Sequence, residues 1–387
     1  MTRKRWAVWS VAILLIVGAI GIAWLNPRLT HYLEGDHFRA ELEKETAKGL
    51  HFPSGQYAPI HRIGFLSATS DGFRAANGRK ALKSVDALGI TAKFNPLGIF
   101  FRRWQLDNVH IQSGEVEVQT YTPTPEPSPA KPWFQIFLPR RVYLKRVESD
   151  RADVTWRFRD EKGGFFGARL VITPRGRDFN YEANGGTLKL ALVPNLQLRD
   201  THLLITRKLL TLYNLDLQPI GDPTGNIHAE GTAGTSEDRS VNFNFSFDRV
   251  PVEQWMPKPW QDHVRGKASG KILWRGKNPK LESCTGEATL RVENARIIEL
   301  PFLENIAKIT NEKALKRLTL NDCSLALTWN YPRAEIKDIA IEENGKFRAQ
   351  GTIQVEKKAL SGAIELGVAR PLLDWLPKPE EVFPHEH

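Results

Sequence analysis

The chain has 387 residues, 41% of them hydrophobic, and a formal net charge of +10. That length can bury a large core and points to two or three domains. Two cysteines without a C-x-x-C pair argue against a zinc ribbon or thioredoxin-type redox site, and basic residues scattered without a long block argue against a nucleic-acid arm.

Arg3, Lys4 and Arg5 precede residues 6–25, WAVWSVAILLIVGAIGIAWL, which carry no charge. That length spans the hydrocarbon layer of a bilayer. The basic residues lie on its N-terminal side, which keeps the N-terminus cytoplasmic. Trp6, Trp9 and Trp24 sit near its two ends, where indoles favour the membrane interface. A cleaved signal peptide is the competing reading, but Asn26-Pro27-Arg28 stands where a small-residue cleavage site belongs. Residues 1–30 are therefore expected to form a cytoplasmic stub and a single-pass anchor, with the remainder beyond the membrane.

Residues 31–121 begin with a helix. Phe38, Leu42, Thr46 and Leu50 recur at helical spacing, with Asp36 as the expected cap and Gly49 near the end. Short β segments follow at 63–67, 72–76, 84–94 and 104–119, and Asn95-Pro96 breaks the pattern before 97–101. Residues 122–132, TPTPEPSPAKP, hold five prolines and read as a linker or large surface loop. Arg140-Arg141 and Lys145-Arg146 read as an exposed strand end before they read as lipid-headgroup contacts.

Residues 133–387 are almost wholly β. Ala152, Val154, Trp156 and Phe158 alternate with polar residues. Leu188, Leu190 and Leu192 are followed by Leu196 and Leu198 after an expected Pro194-Asn195 turn. Val241, Phe243, Phe245 and Phe247 alternate with Asn242, Asn244, Ser246 and Asp248, and Leu325, Leu327 and Trp329 with Ala326, Thr328 and Asn330. Period two over so many segments predicts a sheet with one apolar and one polar face. Gly163-Gly164 and Gly185-Gly186 read as hairpin turns. One further helix is expected at 299–317, with Phe302, Leu303, Ile306, Ile309 and Leu315 on its apolar stripe.

Residues 225–259 return without a gap as 345–379. Gly225, Ala229, Gly231, Thr232, Pro251, Trp255 and Pro257-Lys258-Pro259 meet Gly345, Ala349, Gly351, Thr352, Pro371, Trp375 and Pro377-Lys378-Pro379. Each copy reads as strand, Gly-Thr bend, strand and a Pro-started turn carrying a Trp. The apolar positions Phe243, Phe245 and Phe247 fall out of phase with Ile364, Leu366 and Val368, so chance likeness and a one-residue bulge both stay open.

An apolar sheet face must be covered, and the expected helices are too few to cover about twenty strands. A folded sandwich is one solution. A long curved sheet whose apolar face is covered by acyl chains is the other. In that reading Val154, Trp156, Phe158, Leu188, Leu190, Val241, Phe243, Phe245, Phe247, Leu325, Leu327 and Trp329 line a groove. The expected fold is mainly β, of the α+β class: one N-terminal transmembrane helix, then an elongated, curved antiparallel β-sheet groove with a few short capping helices.

Several segments also carry a family resemblance. They are the anchor, residues 31–50, ALGITAKFNP at 87–96 and LDNVHIQSGEV at 106–116. Gly266-Lys267-Ala268-Ser269-Gly270 with Trp274 and Gly276, then 286–309 and 345–366, complete the set. Together they resemble the AsmA-like family of bacterial envelope proteins, which is similar to the repeating β-groove lipid-transfer proteins. The resemblance implies inner-membrane anchoring, a periplasmic body and a role in phospholipid movement or outer-membrane upkeep. Its implied partners are membrane phospholipid, the inner membrane and an outer-membrane or periplasmic protein. The alternative is a non-enzymatic envelope assembly factor that handles outer-membrane protein strands by β-augmentation.

No P-loop, H-E-x-x-H or G-x-S-x-G motif occurs, and the ten histidines lack metal-ligand spacing. No enzyme activity, cofactor, metal or nucleic-acid partner is expected. Cys284 and Cys323 stay open between a disulfide and two buried thiols.

Overall fold

The structure, a computed structural model, describes residues 26–64, 66–100, 104–119, 142–158, 161–176, 178–191, 193–235, 239–278, 280–298, 304, 307–308, 316–357 and 359–370. The anchor expected at 6–25, the Pro-rich segment 122–132 and the Trp375 turn lie outside these residues. Among the described residues no helix is long and apolar enough to cross a membrane. Strands predominate, in two compact units, residues 1–174 and 175–387.

In the first unit residues 26–33 are helical, and α1 spans Asp36–Leu50. The expected stripe faces the sheet. Leu33 and Phe38 pack with Leu29 and Leu42 on Ile60 and Ala68, while Ala47 packs with Phe52, Phe73 and Ala75. The caps differ from expectation. Gly35 is the N-cap, without a side-chain bond, and Asp36 instead pairs with Arg39 at 2.7 Å. His51, not Gly49, takes the left-handed position at φ 63°. That lets the Phe52 N–H donate to the Ala47 carbonyl at 2.8 Å while the Phe52 ring is buried, a Schellman-like stop.

The strands of this unit are β1 (Gly55–Tyr57), β2 (Ile60–Gly64), β3 (Ser67–Ala76), β4 (Leu82–Phe94), β5 (Trp104–Val118), β6 (Val142–Leu144), β7 (Val147–Phe158) and β8 (Glu161–Arg175). A single turn, α2 (Leu97–Phe100), sits between β4 and β5, where the Asn95 side-chain oxygen accepts the Leu97 N–H at 3.0 Å. β1 and β2 pair with β3, β3 with β4 and β4 with β5, all antiparallel. β6 and β7 run parallel to β5, which corrects the expectation of a wholly antiparallel sheet. Parallel neighbours need a crossover of about a dozen residues or more, and residues 120–141 supply that length. β8 returns antiparallel to β7. Gly163-Gly164 lies inside β8 and is not a turn. Gly164 faces Thr155, and a Cβ there would meet the Val154 carbonyl at 2.3 Å, so close backbone approach explains the glycine.

The second unit holds β9 (Asp178–Asn184), β10 (Thr187–Leu190), β11 (Val193–Ile205), β12 (Leu209–Pro219), β13 (Asn226–Gly234), β14 (Val241–Pro251), β15 (Val264–Gly276), β16 (Cys284–Ile298), β17 (Arg317–Leu320), β18 (Asp322–Asn330), β19 (Arg333–Glu343), β20 (Phe347–Glu356) and β21 (Ala359–Val368). It is an antiparallel meander. β9 and β10 both pair with β11, and each later strand pairs with the next, except that β17 and β18 share β16. Gly185 and Gly186, at φ 71° and 75°, make the expected turn between β9 and β10. Pro194 and Asn195 lie inside β11 and the turn falls before Val193; a proline near a strand start loses few ladder bonds. In the segment read as a helix, residues 304 and 307–308 are helical and Ala307 is buried, but β17 begins at Arg317, so the helix ends short of the expected 317.

The internal repeat is visible in the backbone. Its copies are the β13–β14 and β20–β21 hairpins, and Gly231 and Gly351 share a positive φ of 155° and 158°. The phase conflict comes from register. Gly231 faces Phe243, whereas Gly351 faces Ile364, one residue past the aligned Ala363. β20 and β21 run to a two-residue turn at 357–358, while β13 and β14 are joined by 235–240, and this resets the pairing by one. The apolar residues of both copies therefore fall on the same face as their glycine.

Candidate functional site

In an antiparallel sheet, directly opposed residues share a face. Following the opposed pairs across the second unit gives a row of one residue per strand: Tyr181, Leu203, Leu212, Gly231, Phe243, Trp274, Gly286, Trp329, Ala334, Val355 and Leu360. Every member is apolar, aromatic or glycine. A second row two residues away carries Leu215, Ala229, Phe245, Ile272, Ala288, Leu327, Ile336 and Ile353. The row on the opposite face reads Thr211, Thr232, Asn242, Arg275, Thr285, Asn330, Arg333 and Glu356. One face is a continuous apolar surface and the other is polar. Burial of Tyr181 in this surface pushes its phenol pKa up.

The apolar face has a recurring construction. Phe243 lies over Gly231, Phe247 over Gly270 and Trp329 over Gly286, each a directly opposed pair. A Cβ built on those glycines would meet the rings at 2.6, 2.7 and 2.4 Å. Glycine lets each ring lie down on the neighbouring strand instead of standing away from the sheet. The large side chains Phe243, Phe245, Phe247, Ile272, Trp274, Leu325, Leu327 and Trp329 remain only half-buried. The indole nitrogens of Trp274 and Trp329 are buried without a hydrogen-bond partner among the described residues.

One end of the face is closed. The chain leaves β14 through a 3-10 turn, Val252–Trp255, and Val252 and Met256 pack on Ala268, Val292, Ala295, Leu318 and Leu320. Gln254 donates to the Ile220 carbonyl at 3.3 Å, tying the turn to the β12–β13 loop, and Lys267 of β15 pairs with Asp222 of the same loop. Trp255 itself is exposed. The motif therefore acts as a cap through its aliphatic residues and not through its tryptophan.

The residues singled out from sequence fall as follows. Val241, Phe243, Phe245, Phe247, Leu325, Leu327 and Trp329 share the apolar face of the second unit. Leu188 is buried against Leu196, and Leu190 is half-buried opposite Val193. Val154 and Trp156 belong to the first unit. There Val154 lies in a row with Ala75, Val85, Val116 and Phe165, and the Trp156 ring sits 5.9 Å from that of Phe165. Phe158 ends β7, its side chain outside the described residues, as are Arg3, Lys4, Arg5, Trp6, Trp9 and Trp24. Sequence reading missed Ile272, Trp274 and Ala288. Their signal was the small-residue alternation Gly266, Ala268, Gly270 leading into Ile272, which carries little hydrophobic weight.

The described surface also has two shallow depressions, of about 740 and 780 Å³, and both are lined chiefly from the polar face. In the first, Arg333 pairs with Glu356 at 3.3 Å, and Glu335 accepts from Lys337 beside it at 2.9 Å, which holds its carboxyl below the usual range. Among the described residues no group of three His, Cys, Asp or Glu side chains could hold a metal. Cys284 and Cys323 are free thiols, and burial pushes Cys323 up, away from reactive thiolate. Lys145 pairs with Asp107 at 2.6 Å and Arg146 with Glu148 at 2.5 Å, so these cations already have partners within the sheet. No family model, curated protein or solved structure matches the chain.

Proposed function

We propose that this chain is a non-enzymatic, membrane-anchored lipid-binding protein of the bacterial envelope, which holds or passes phospholipid acyl chains along the apolar face of its second unit. The observation that carries this reading is the unbroken apolar row from Tyr181 to Leu360, in which Phe243, Trp274 and Trp329 stay only half-buried in the folded chain. Exposed apolar surface costs about 25 cal/mol per Å², and an acyl chain laid on it recovers about 0.8 kcal/mol for each methylene taken out of water. The face offers few directional bonds, so a bound chain can shift along it in small steps. Rings lying flat over glycine keep the floor shallow enough for a chain to rest on.

Residues 6–25 supply the inner-membrane anchor in this reading. The helical residues 26–33 that follow are clamped to the first unit: Arg62 donates to the Asn26 carbonyl at 2.9 Å and to the Thr30 hydroxyl at 2.7 Å. The first unit would then sit at the periplasmic membrane surface, where lipid leaves the bilayer. The likeness to the AsmA-like family supports the same assignment.

A pair of neighbouring substitutions tests it. Leu327→Asp places a charge on the apolar row and Thr328→Asp places one on the opposite face. Lipid extracted from the purified full-length protein should fall several-fold in the first variant and stay unchanged in the second. Equal lipid content in both, with β structure retained, would overturn the reading.

A further inference from the structure

We propose that β21 is a docking edge for a second copy of this chain, joined by antiparallel β21–β21 pairing centred on Ala363. β21 pairs with β20 along one edge, and β20 is its partner among the described residues. Three of its apolar side chains are more than half exposed: Leu360 73%, Ile364 54% and Leu366 52%. The internal repeat shows what such a strand ordinarily has. The equivalent strand of the other copy, β14, pairs with β13 on one edge and β15 on the other, and its Phe243, Phe245 and Phe247 are half-buried. Among the described residues, β21 lacks the second neighbour that β14 has.

Edge strands that stay unpaired are ordinarily protected by lysine, proline or a bulge. β21, ALSGAIELGV, has neither lysine nor proline and pairs with β20 without a register shift. Its single charge, Glu365, accepts a hydrogen bond from Gln350 at 2.9 Å. The strand is also self-complementary. Pairing centred on Ala363 sets Leu360 against Leu366 of the second copy and Glu365 against Ser361. It sets Gly362 against Ile364, repeating the way Gly351 lies opposite Ile364 and Gly362 opposite Ile353 within the chain. The two Glu365 carboxylates would stand about 13 Å apart along the strands, beyond the Debye length of about 8–10 Å, so they would not repel strongly. The two-fold axis of such a pair runs perpendicular to the sheet. Both apolar faces then lie on one side, and the row ending at Leu360 continues into the second copy. The pairing does not depend on what that face binds.

The test uses the full-length protein in detergent. Light scattering should give a dimer mass for the native chain. Ala363→Cys should convert it to a disulfide-linked dimer under mild oxidation, because opposed residues in an antiparallel pair have Cα atoms about 4.5–5.5 Å apart, within disulfide range. Leu360→Lys combined with Ile364→Lys, both at exposed positions, should weaken the dimer at least tenfold. A monomer mass would overturn the proposal. So would a dimer that Ala363→Cys does not link, since it would use another interface. Linkage of Cys at 363 to a protein of different mass would assign the edge to that occupant and overturn it equally.

Discussion

At the scale of single residues the sheet is shaped by what is missing as much as by what is present. Gly231, Gly270 and Gly286 are the floor on which Phe243, Phe247 and Trp329 lie, and none of the three has room for a Cβ. Charge is handled just as locally. In the first unit Glu117 accepts from Lys83 at 2.8 Å and lies 3.3 Å from Arg157, and these cations, Lys83 first, hold its carboxyl below the usual range. A depressed carboxylate stabilises the fold above its unfolded pKa, and that contribution is lost as pH falls through the folded value. Glu117→Gln should therefore cost about 1 kcal/mol at neutral pH, since Lys83 and Arg157 are both well exposed and solvent screens them. Urea midpoints of the two proteins should converge as pH drops below the carboxylate range. A difference that persisted in acid would show that Glu117 acts through packing and not through charge.

At the scale of elements, register decides most of what matters. The β20–β21 turn places Lys357 at φ 56°, a conformation that costs a non-glycine residue about 1–2 kcal/mol. Lys357→Gly should raise stability by about 1 kcal/mol in urea unfolding; a loss would mean the lysine side chain holds the turn. The same turn shifts the second repeat by one residue, which is why its apolar phase looked wrong in the sequence. Strands with large alternating side chains, such as β14 and β18, were legible because period two survives without knowledge of the partner. β15 and β16 were less so. Their inward positions, Gly266, Ala268, Gly270, Gly286 and Ala288, alternate correctly but are small. Strand direction was not legible at all: periodicity is the same for parallel and antiparallel pairs, so the β5–β7 pairing could not be anticipated. Turns were misplaced at Gly163-Gly164 and Pro194-Asn195 because glycine and proline report local freedom, whereas pairing to β7 and β10 kept both inside strands.

At the scale of the whole molecule, the second unit presents one face of hydrocarbon and one of charge, carried without interruption from β9 to β21. A sheet of this kind must have its apolar face covered. The Val252–Trp255 turn covers one end, and the half-buried aromatics beyond it are left for something else. Lipid is the proposed cover. Photocrosslinking in cells tests this directly, with a photoreactive residue at Phe245 on the apolar row and another at Asn244 on the opposite face. Lipid adducts are expected at 245 and none at 244. Equal adducts at both positions, or adducts to protein alone at 245, would contradict it.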